Sequence, residues 1–83
     1  MFIDGRWVKS DSGRTFEVRN PATGDLLASV PAGGRAEARR AIEAAGRAFP
    51  MWSRLPAQER AALLVKVREL ILQRKEHLAR LLA

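Results

Sequence analysis

The chain has 83 residues and a net charge of +6, from 15 basic and 9 acidic side chains. This length allows at most one small domain. The absence of cysteine excludes disulfides, thiolate metal sites and thiol nucleophiles. No apolar run reaches the roughly 18 residues of a membrane span, and no export signal is visible, so we expect a cytoplasmic protein without a membrane partner.

The first 33 residues are predicted to form two short β-hairpins. Phe2–Ile3 and residues 6–8 flank Asp4-Gly5, a dipeptide that favours a tight hairpin turn. Thr15–Arg19 alternates apolar and polar side chains, as a half-buried strand does. Residues 26–30 follow as its partner strand, which Pro31 is expected to end.

The segment Asn20-Pro21-Ala22-Thr23-Gly24 separates the two strands of the second hairpin. Pro21 has no N–H and therefore ends a strand, while Gly24 accepts the positive φ that closes a turn. A phosphate-binding loop would need a helix to begin directly after the glycine, but an apolar strand pattern follows instead. The segment is therefore predicted to be a turn.

Two amphipathic helices are predicted after the hairpins, over residues 34–50 and 56–83. Gly34 lies where the first helix would be capped, and Pro50 is expected to end it. The second is expected to begin at Pro56 and to run without a break, with one broad apolar stripe formed by Leu63, Leu64, Val67, Leu70, Ile71, Leu78, Leu81 and Leu82. Because no capping residue or proline marks its end, we expect it to belong to a larger fold.

Taken together, these segments resemble the amino-terminal part of an NAD(P)-dependent aldehyde dehydrogenase. The resemblance rests on FIDGRWV at 2–8, FEVRNPATG at 16–24, AIEAA at 41–45, FPMW at 49–52 and ERA at 59–61. The stretch VPAGGRAEARRAIEAA at 30–45 is similar in particular to the succinate-semialdehyde dehydrogenase branch. The resemblance to aldehyde dehydrogenases implies an α/β fold, or α+β for an isolated fragment. Residues 1–83 would belong to the cofactor-binding half of that fold.

The resemblance also implies the chemistry of the full-length enzyme. Such enzymes oxidise an aldehyde, for example succinate semialdehyde, to the acid with NAD or NADP, using a cysteine nucleophile and a glutamate that activates water. Both groups lie downstream of the region that this chain resembles. No catalytic or cofactor-binding residue is therefore assigned to the chain, and it is expected to be inactive and without cofactor by itself.

One site is carried over from the family. In several members, main-chain carbonyls just before the Asn-Pro pair bind an alkali cation, and here these are the carbonyls of Val18 and Arg19. The alternative is an ordinary strand end without an ion.

The partners follow from the same resemblance. We expect the missing remainder of the enzyme, or homologous subunits, and no specific nucleic acid. The alternative is a complete small basic domain that binds nucleic acid or another protein, since a positive chain can attract an acidic partner. The dispersal of the basic residues among acids favours the first interpretation.

Overall fold

The computed structural model describes all 83 residues, which form two compact units, Met1–Phe49 and Pro50–Ala83. The elements, in chain order, are strands β1 (Phe2–Ile3), β2 (Arg6–Trp7), β3 (Thr15–Arg19) and β4 (Leu26–Pro31), then helices α1 (Arg35–Arg54), α2 (Ala57–Gln73) and α3 (Lys75–Leu82). The strands form two separate antiparallel pairs, β1–β2 and β3–β4. This confirms the predicted class, two hairpins followed by helices. None of the helices combines the length and the apolar character that crossing a membrane requires.

The first hairpin closes on the predicted Asp4-Gly5 turn. Phe2 pairs with Trp7 and Ile3 with Arg6. Asp4 and Gly5 have φ values of 55° and 74°, the two positive angles of the hairpin turn whose twist matches that of the strands. The rings of Phe2 and Trp7 meet edge to face, with centroids 5.2 Å apart, and reinforce the pair.

The second hairpin closes on the predicted turn at residues 20–24. The Asn20 side chain accepts a hydrogen bond from the Ala22 amide at 2.9 Å, and the Asn20 carbonyl accepts one from the Gly24 amide at 2.7 Å. Gly24 has φ of 80°, so a residue with a side chain would be strained there. The prediction of a turn rather than a phosphate loop is confirmed.

Strand β4 extends one residue beyond its predicted end, because Pro31 still pairs with Thr15. The pairing shifts at the other end of the hairpin. Val18 lies opposite Ala28 and Arg19 opposite Leu26, so Leu27 is an extra residue and the strands contain a β-bulge.

The prediction that Pro50 ends the first helix was wrong, because α1 continues to Arg54. Proline removes one N–H, which would have bonded to the carbonyl four residues earlier, but its own carbonyl can still accept hydrogen bonds. The Pro50 carbonyl does so, receiving the Ser53 hydroxyl at 3.3 Å. Residues 51–54 therefore complete one more helical turn after the proline.

The predicted helix over residues 56–83 is in fact two helices. Pro56, with ψ of 147°, is the cap residue just before the first of them, and α2 begins at Ala57. Arg74, with φ of −105° and ψ of 16°, interrupts the helix, and α3 begins at Lys75. No proline or glycine marks this break in the sequence, and the structure offers no local cause for it.

Neither unit has an apolar core. No hydrophobic side chain is buried, and the only buried residues are Ser10 and Glu37. Ile42, an apolar residue of α1, is 72% exposed. The apolar side chains of the helices therefore remain open to solvent, and the stripe predicted for one long helix is divided between α2 and α3.

Two glycine substitutions should have opposite effects on stability. No atom lies within 4 Å of an added Cβ at Gly24 or Gly46, so only the backbone conformation distinguishes the two positions. We expect Gly24→Ala to destabilise the second hairpin by about 1–2 kcal/mol because of its positive φ. Gly46→Ala, within α1, should stabilise the helix by about 0.5–1 kcal/mol.

The measurement is amide hydrogen exchange of the β3–β4 pairs for the first variant and helical circular dichroism during urea unfolding for the second. Equal effects of the two substitutions would show that the positive φ of Gly24 is not maintained in solution.

Candidate functional site

The one buried charged side chain is Glu37, which is 5% exposed in the first turn of α1. One of its carboxylate oxygens, Oε2, accepts the Gly34 amide at 2.8 Å, and the other, Oε1, accepts the Asp11 amide at 2.5 Å. Gly34 immediately precedes the helix, and its carbonyl accepts the Ala38 amide at 3.0 Å. Glu37 is therefore the third helical residue reaching back to the cap position, which is one half of a capping box.

The Asp11 amide belongs to a turn at residues 10–13. The Gly13 amide donates to the Ser10 carbonyl at 3.0 Å, and the buried Ser10 hydroxyl donates to the Arg14 carbonyl at 2.9 Å. Arg40 adds ion pairs to Asp11 at 3.0 Å and to Glu37 at 3.5 Å. We call Asp11, Gly34, Glu37 and Arg40 the Glu37 junction; it ties the turn between the hairpins to the start of α1.

The environment keeps Glu37 ionised. The hydrogen bond from the Asp11 amide, followed by the one from the Gly34 amide, holds the pKa of Glu37 below its usual range. Burial acts in the opposite direction, and the nearby Arg40 guanidinium adds a smaller lowering of this pKa. A carboxylate with a lowered pKa and both oxygens occupied is a poor proton donor or acceptor, so the junction is suited to holding backbone in place.

The start of α1 also resembles an anion site, since a strand and two glycines precede a long helix. The amides at a helix N-terminus attract phosphates. Here, however, the Glu37 carboxylate binds the Gly34 amide and supplies the negative charge itself. A phosphate at this position would find the Gly34 amide already hydrogen-bonded, and the negative charge of Glu37 would repel it.

An open cavity of about 400 Å³ lies between the first hairpin and α1. Its charged lining consists of Arg6, Arg40 and Arg47 with Asp4 and Glu43. Arg47 is paired with Asp4 at 3.0 Å, and Arg40 with two acids of the Glu37 junction. Two of the three arginines are thus paired with acids of the same unit. The cavity therefore has little excess positive charge with which to bind an anion.

The predicted cation ligands, the carbonyls of Val18 and Arg19, lie at the β-bulge where β3 ends. The Arg19 guanidinium folds back over the turn, 2.6 Å from the Glu17 carboxylate and 3.0 Å from the Gly24 carbonyl. No group of three or more acidic, histidine or cysteine side chains could hold a metal ion. Ligation of an alkali cation by the two carbonyls stays a prediction.

The sequence analysis assigned no structural role to Glu37. The structure shows it buried and bonded to two loops. A signal was present, because a glutamate three residues after a cap position is half of a capping-box pattern. It was missed because Gly34 replaces the serine or threonine of that pattern.

Comparison with known sequences identifies the family. A sequence profile described as the aldehyde dehydrogenase family matches residues 7–83. The chain therefore belongs to the aldehyde dehydrogenase family, as the sequence segments predicted.

Several of the curated relatives are semialdehyde or sulfoaldehyde dehydrogenases. The chain is 59% identical to 3-sulfolactaldehyde dehydrogenase from Pseudomonas putida and 49% identical to glutarate-semialdehyde dehydrogenase from Pseudomonas aeruginosa, each over 98% of its length. It is 45% identical, over 96% of its length, to the NADP-dependent succinate-semialdehyde dehydrogenase of Escherichia coli. The chain spans only 17% of the length of each of these relatives.

Solved structures show the same arrangement of the backbone. An NADP-dependent enzyme of E. coli, 45% identical, superposes with a TM-score of 0.94 over 96% of this chain and 17% of its own. PnpE in complex with nicotinamide adenine dinucleotide, 42% identical, superposes with a TM-score of 0.92 over 96% of this chain and 16% of its own. The matching segments of these longer chains thus have a backbone similar to that of this chain.

We expect Glu37→Gln to loosen the turn at residues 10–13 from α1. The amide cannot accept through both of its terminal atoms, so either the Asp11 or the Gly34 N–H loses its acceptor. Amide hydrogen exchange, measured at neutral pH, should be faster in this variant at Asp11 or at Gly34, whichever loses its acceptor. Glu43→Gln, which removes an acid on the same helix that forms no ion pair, is the matched control and should leave both amides unchanged.

The same junction should respond to pH. Because the pKa of Glu37 is lower in the folded than in the unfolded chain, its contribution is complete above the ordinary carboxyl pKa and is lost as pH falls through the lowered value. Nuclear magnetic resonance of the Asp11 amide during acid titration tests this. A junction that opens at or above the ordinary carboxyl pKa would contradict the assignment.

Proposed function

We propose that this chain supplies the amino-terminal scaffold of an NAD(P)-dependent dehydrogenase that oxidises a short aldehyde bearing an anionic group. The observation that carries the proposal is the similarity to relatives whose names share this chemistry. Sulfolactaldehyde bears a sulfonate, and glutarate and succinate semialdehydes each bear a carboxylate besides the aldehyde. Succinate semialdehyde is one member of this substrate class.

The overall reaction defines what the rest of the enzyme must provide. The aldehyde carbon loses a hydride and gains an oxygen from water, so that the acid forms and two protons are released. When bound, the nicotinamide cofactor accepts the hydride. This chain has no cysteine that could hold the aldehyde as a covalent adduct, so the nucleophile is proposed to come from another part of the enzyme.

The chain's own contribution is positional. The Glu37 junction joins the turn at residues 10–13 to the start of α1, and the Arg47–Asp4 ion pair joins the first hairpin to the same helix three turns later. These contacts give the first unit a defined geometry without an apolar core. A segment built in this way orients the surfaces on which other parts of a subunit pack.

No observation favours the alternative of a nucleic-acid-binding domain. A binder of this kind presents unpaired basic side chains on one face. In this structure Arg19, Arg40 and Arg47 each bind an acidic side chain. Three of the 15 basic side chains are therefore engaged by acids, and the others are interspersed with acidic residues along the chain.

The substrate class is tested with the complete polypeptide that the gene encodes, purified and assayed with NAD and with NADP. We expect kcat/KM for succinate and glutarate semialdehydes to exceed that for butanal and pentanal, their uncharged counterparts, by at least about 100-fold, because a site built to bind an anion rejects a substrate that lacks it.

The 83-residue chain alone is the control and should show no NAD(P)H formation with any of these aldehydes. Equal efficiency with charged and uncharged aldehydes would overturn the proposed substrate class. Turnover by the 83-residue chain alone would overturn its role as a scaffold.

A further inference from the structure

The turn of the first hairpin places a carboxylate beside an unhindered backbone nitrogen. Asp4 is followed directly by Gly5, and the Asp4 side chain is 67% exposed. No hydrogen bond engages the Gly5 amide, and no atom beyond its chain neighbours lies within 4 Å of a Cβ built on Gly5. The carboxyl carbon of Asp4 and the nitrogen of Gly5 can therefore approach each other without displacing another group.

A carboxyl group and a backbone nitrogen placed in this way can react without a catalyst. The Gly5 nitrogen forms a bond to the side-chain carboxyl carbon of Asp4, and the carboxyl hydroxyl leaves as water with the amide hydrogen. The product is a five-membered succinimide ring, which water then opens. Addition of water at the side-chain carbonyl restores aspartate, whereas addition at the main-chain carbonyl gives isoaspartate. Each passage through the ring exchanges one oxygen atom with water and needs no oxidant or other reactant.

The other candidates for this reaction in the chain are followed by residues that hinder or prevent it. Asp11 precedes serine and Asp25 precedes leucine, so a side chain stands beside the attacking nitrogen. Asn20 precedes proline, which has no N–H to give up. Ring closure therefore meets the least steric resistance at Asp4, where the next residue has no side chain.

One ion pair restrains the Asp4 carboxylate. Arg47 of α1 donates to Asp4 Oδ2 at 3.0 Å, across 43 positions of the chain. Strands β1 and β2 contain two residues each, and a hairpin of this size is marginally stable by itself. The contact with Arg47 thus holds a carboxyl oxygen that ring closure must release, and it ties a weakly paired turn to a long helix.

We propose that Asp4 is a site of spontaneous isoaspartate formation and that its ion pair with Arg47 limits the rate. The main chain of isoaspartate runs through the side-chain carbons, so the two-residue loop becomes longer by one backbone atom. The residue pairs of β1 and β2 then lose the turn that sets their register. The free carboxylate is now attached directly to Cα, too short to keep its contact with Arg47, and the link between the first hairpin and α1 is broken.

The proposal is tested on the complete polypeptide that the gene encodes, incubated at neutral pH in water enriched in heavy oxygen. Digestion with trypsin in ordinary water then places the three aspartates in separate peptides, which end at Arg6, Arg14 and Arg35. Mass spectrometry measures the heavy oxygen incorporated into each peptide. Chromatography against a synthetic isoaspartyl peptide identifies the rearranged product.

We expect heavy oxygen and isoaspartate to accumulate fastest in the peptide that ends at Arg6. Arg47→Gln should raise this rate by about two- to fivefold, the factor that an exposed ion pair contributes. Arg47→Lys retains the positive charge and should stay closer to the original rate. Arg39→Gln, which removes an arginine of the same helix that forms no ion pair, is the matched control and should have no effect.

Two further conditions separate the effect of the ion pair from that of the local sequence. In concentrated urea all of these proteins should react at one rate, because the fold no longer brings Arg47 to Asp4. Raising the ionic strength of the folded, unsubstituted protein should accelerate incorporation at Asp4 and not at Asp25, because salt screens an exposed ion pair. This second measurement decides the question if Arg47→Gln is insoluble.

Incorporation at Asp4 that is no faster than at Asp25 in the folded protein would overturn the proposed site. Equal rates for the folded Arg47→Gln and Arg39→Gln proteins, or a difference between them that persists in urea, would overturn the role of the ion pair. None of these readouts depends on turnover, so they stand apart from the proposed function.

Discussion

The structure of the first unit depends on one carboxylate. Glu37 accepts hydrogen bonds from the backbone of Asp11 and of Gly34, and thereby joins a loop between hairpins to the cap of a helix. Buried charges are costly unless they are fully hydrogen-bonded and paired, and Glu37 meets both conditions through two amides and Arg40. Because no buried apolar side chain performs this task, polar contacts determine how the turn and the helix meet.

The first unit relies on polar contacts because the chain has no buried apolar side chain. Folding must offset a backbone entropy cost of roughly 1–2 kcal/mol per residue, and burial of apolar surface is the main term that does so. Here large apolar side chains on β1, β2, α1, α2 and α3 remain exposed. The hydrophobic term is therefore small in this chain, and under the proposed scaffold role other parts of the enzyme would supply it.

Local sequence signals predicted the turns correctly where one or two residues fix the backbone conformation. Asp4-Gly5 and Gly24 led to correct turns, because positive φ angles are open to few residue types. The helix ends were predicted less well. Pro50 was expected to stop α1, although a proline removes only one hydrogen bond, and the break at Arg74 has no local mark.

The sequence by itself determined the family, the two hairpins, the helical character of the second half and the absence of a thiol nucleophile, since each depends on residue type and spacing. Only the tertiary structure decided that Glu37 is buried, that it holds the Asp11 amide 26 positions away, and that Arg40 and Arg47 are engaged by acids. These facts depend on which distant segments meet. A glutamate on a helix has the same local pattern whether its carboxylate faces water or two backbone amides, so no local rule could distinguish the two states.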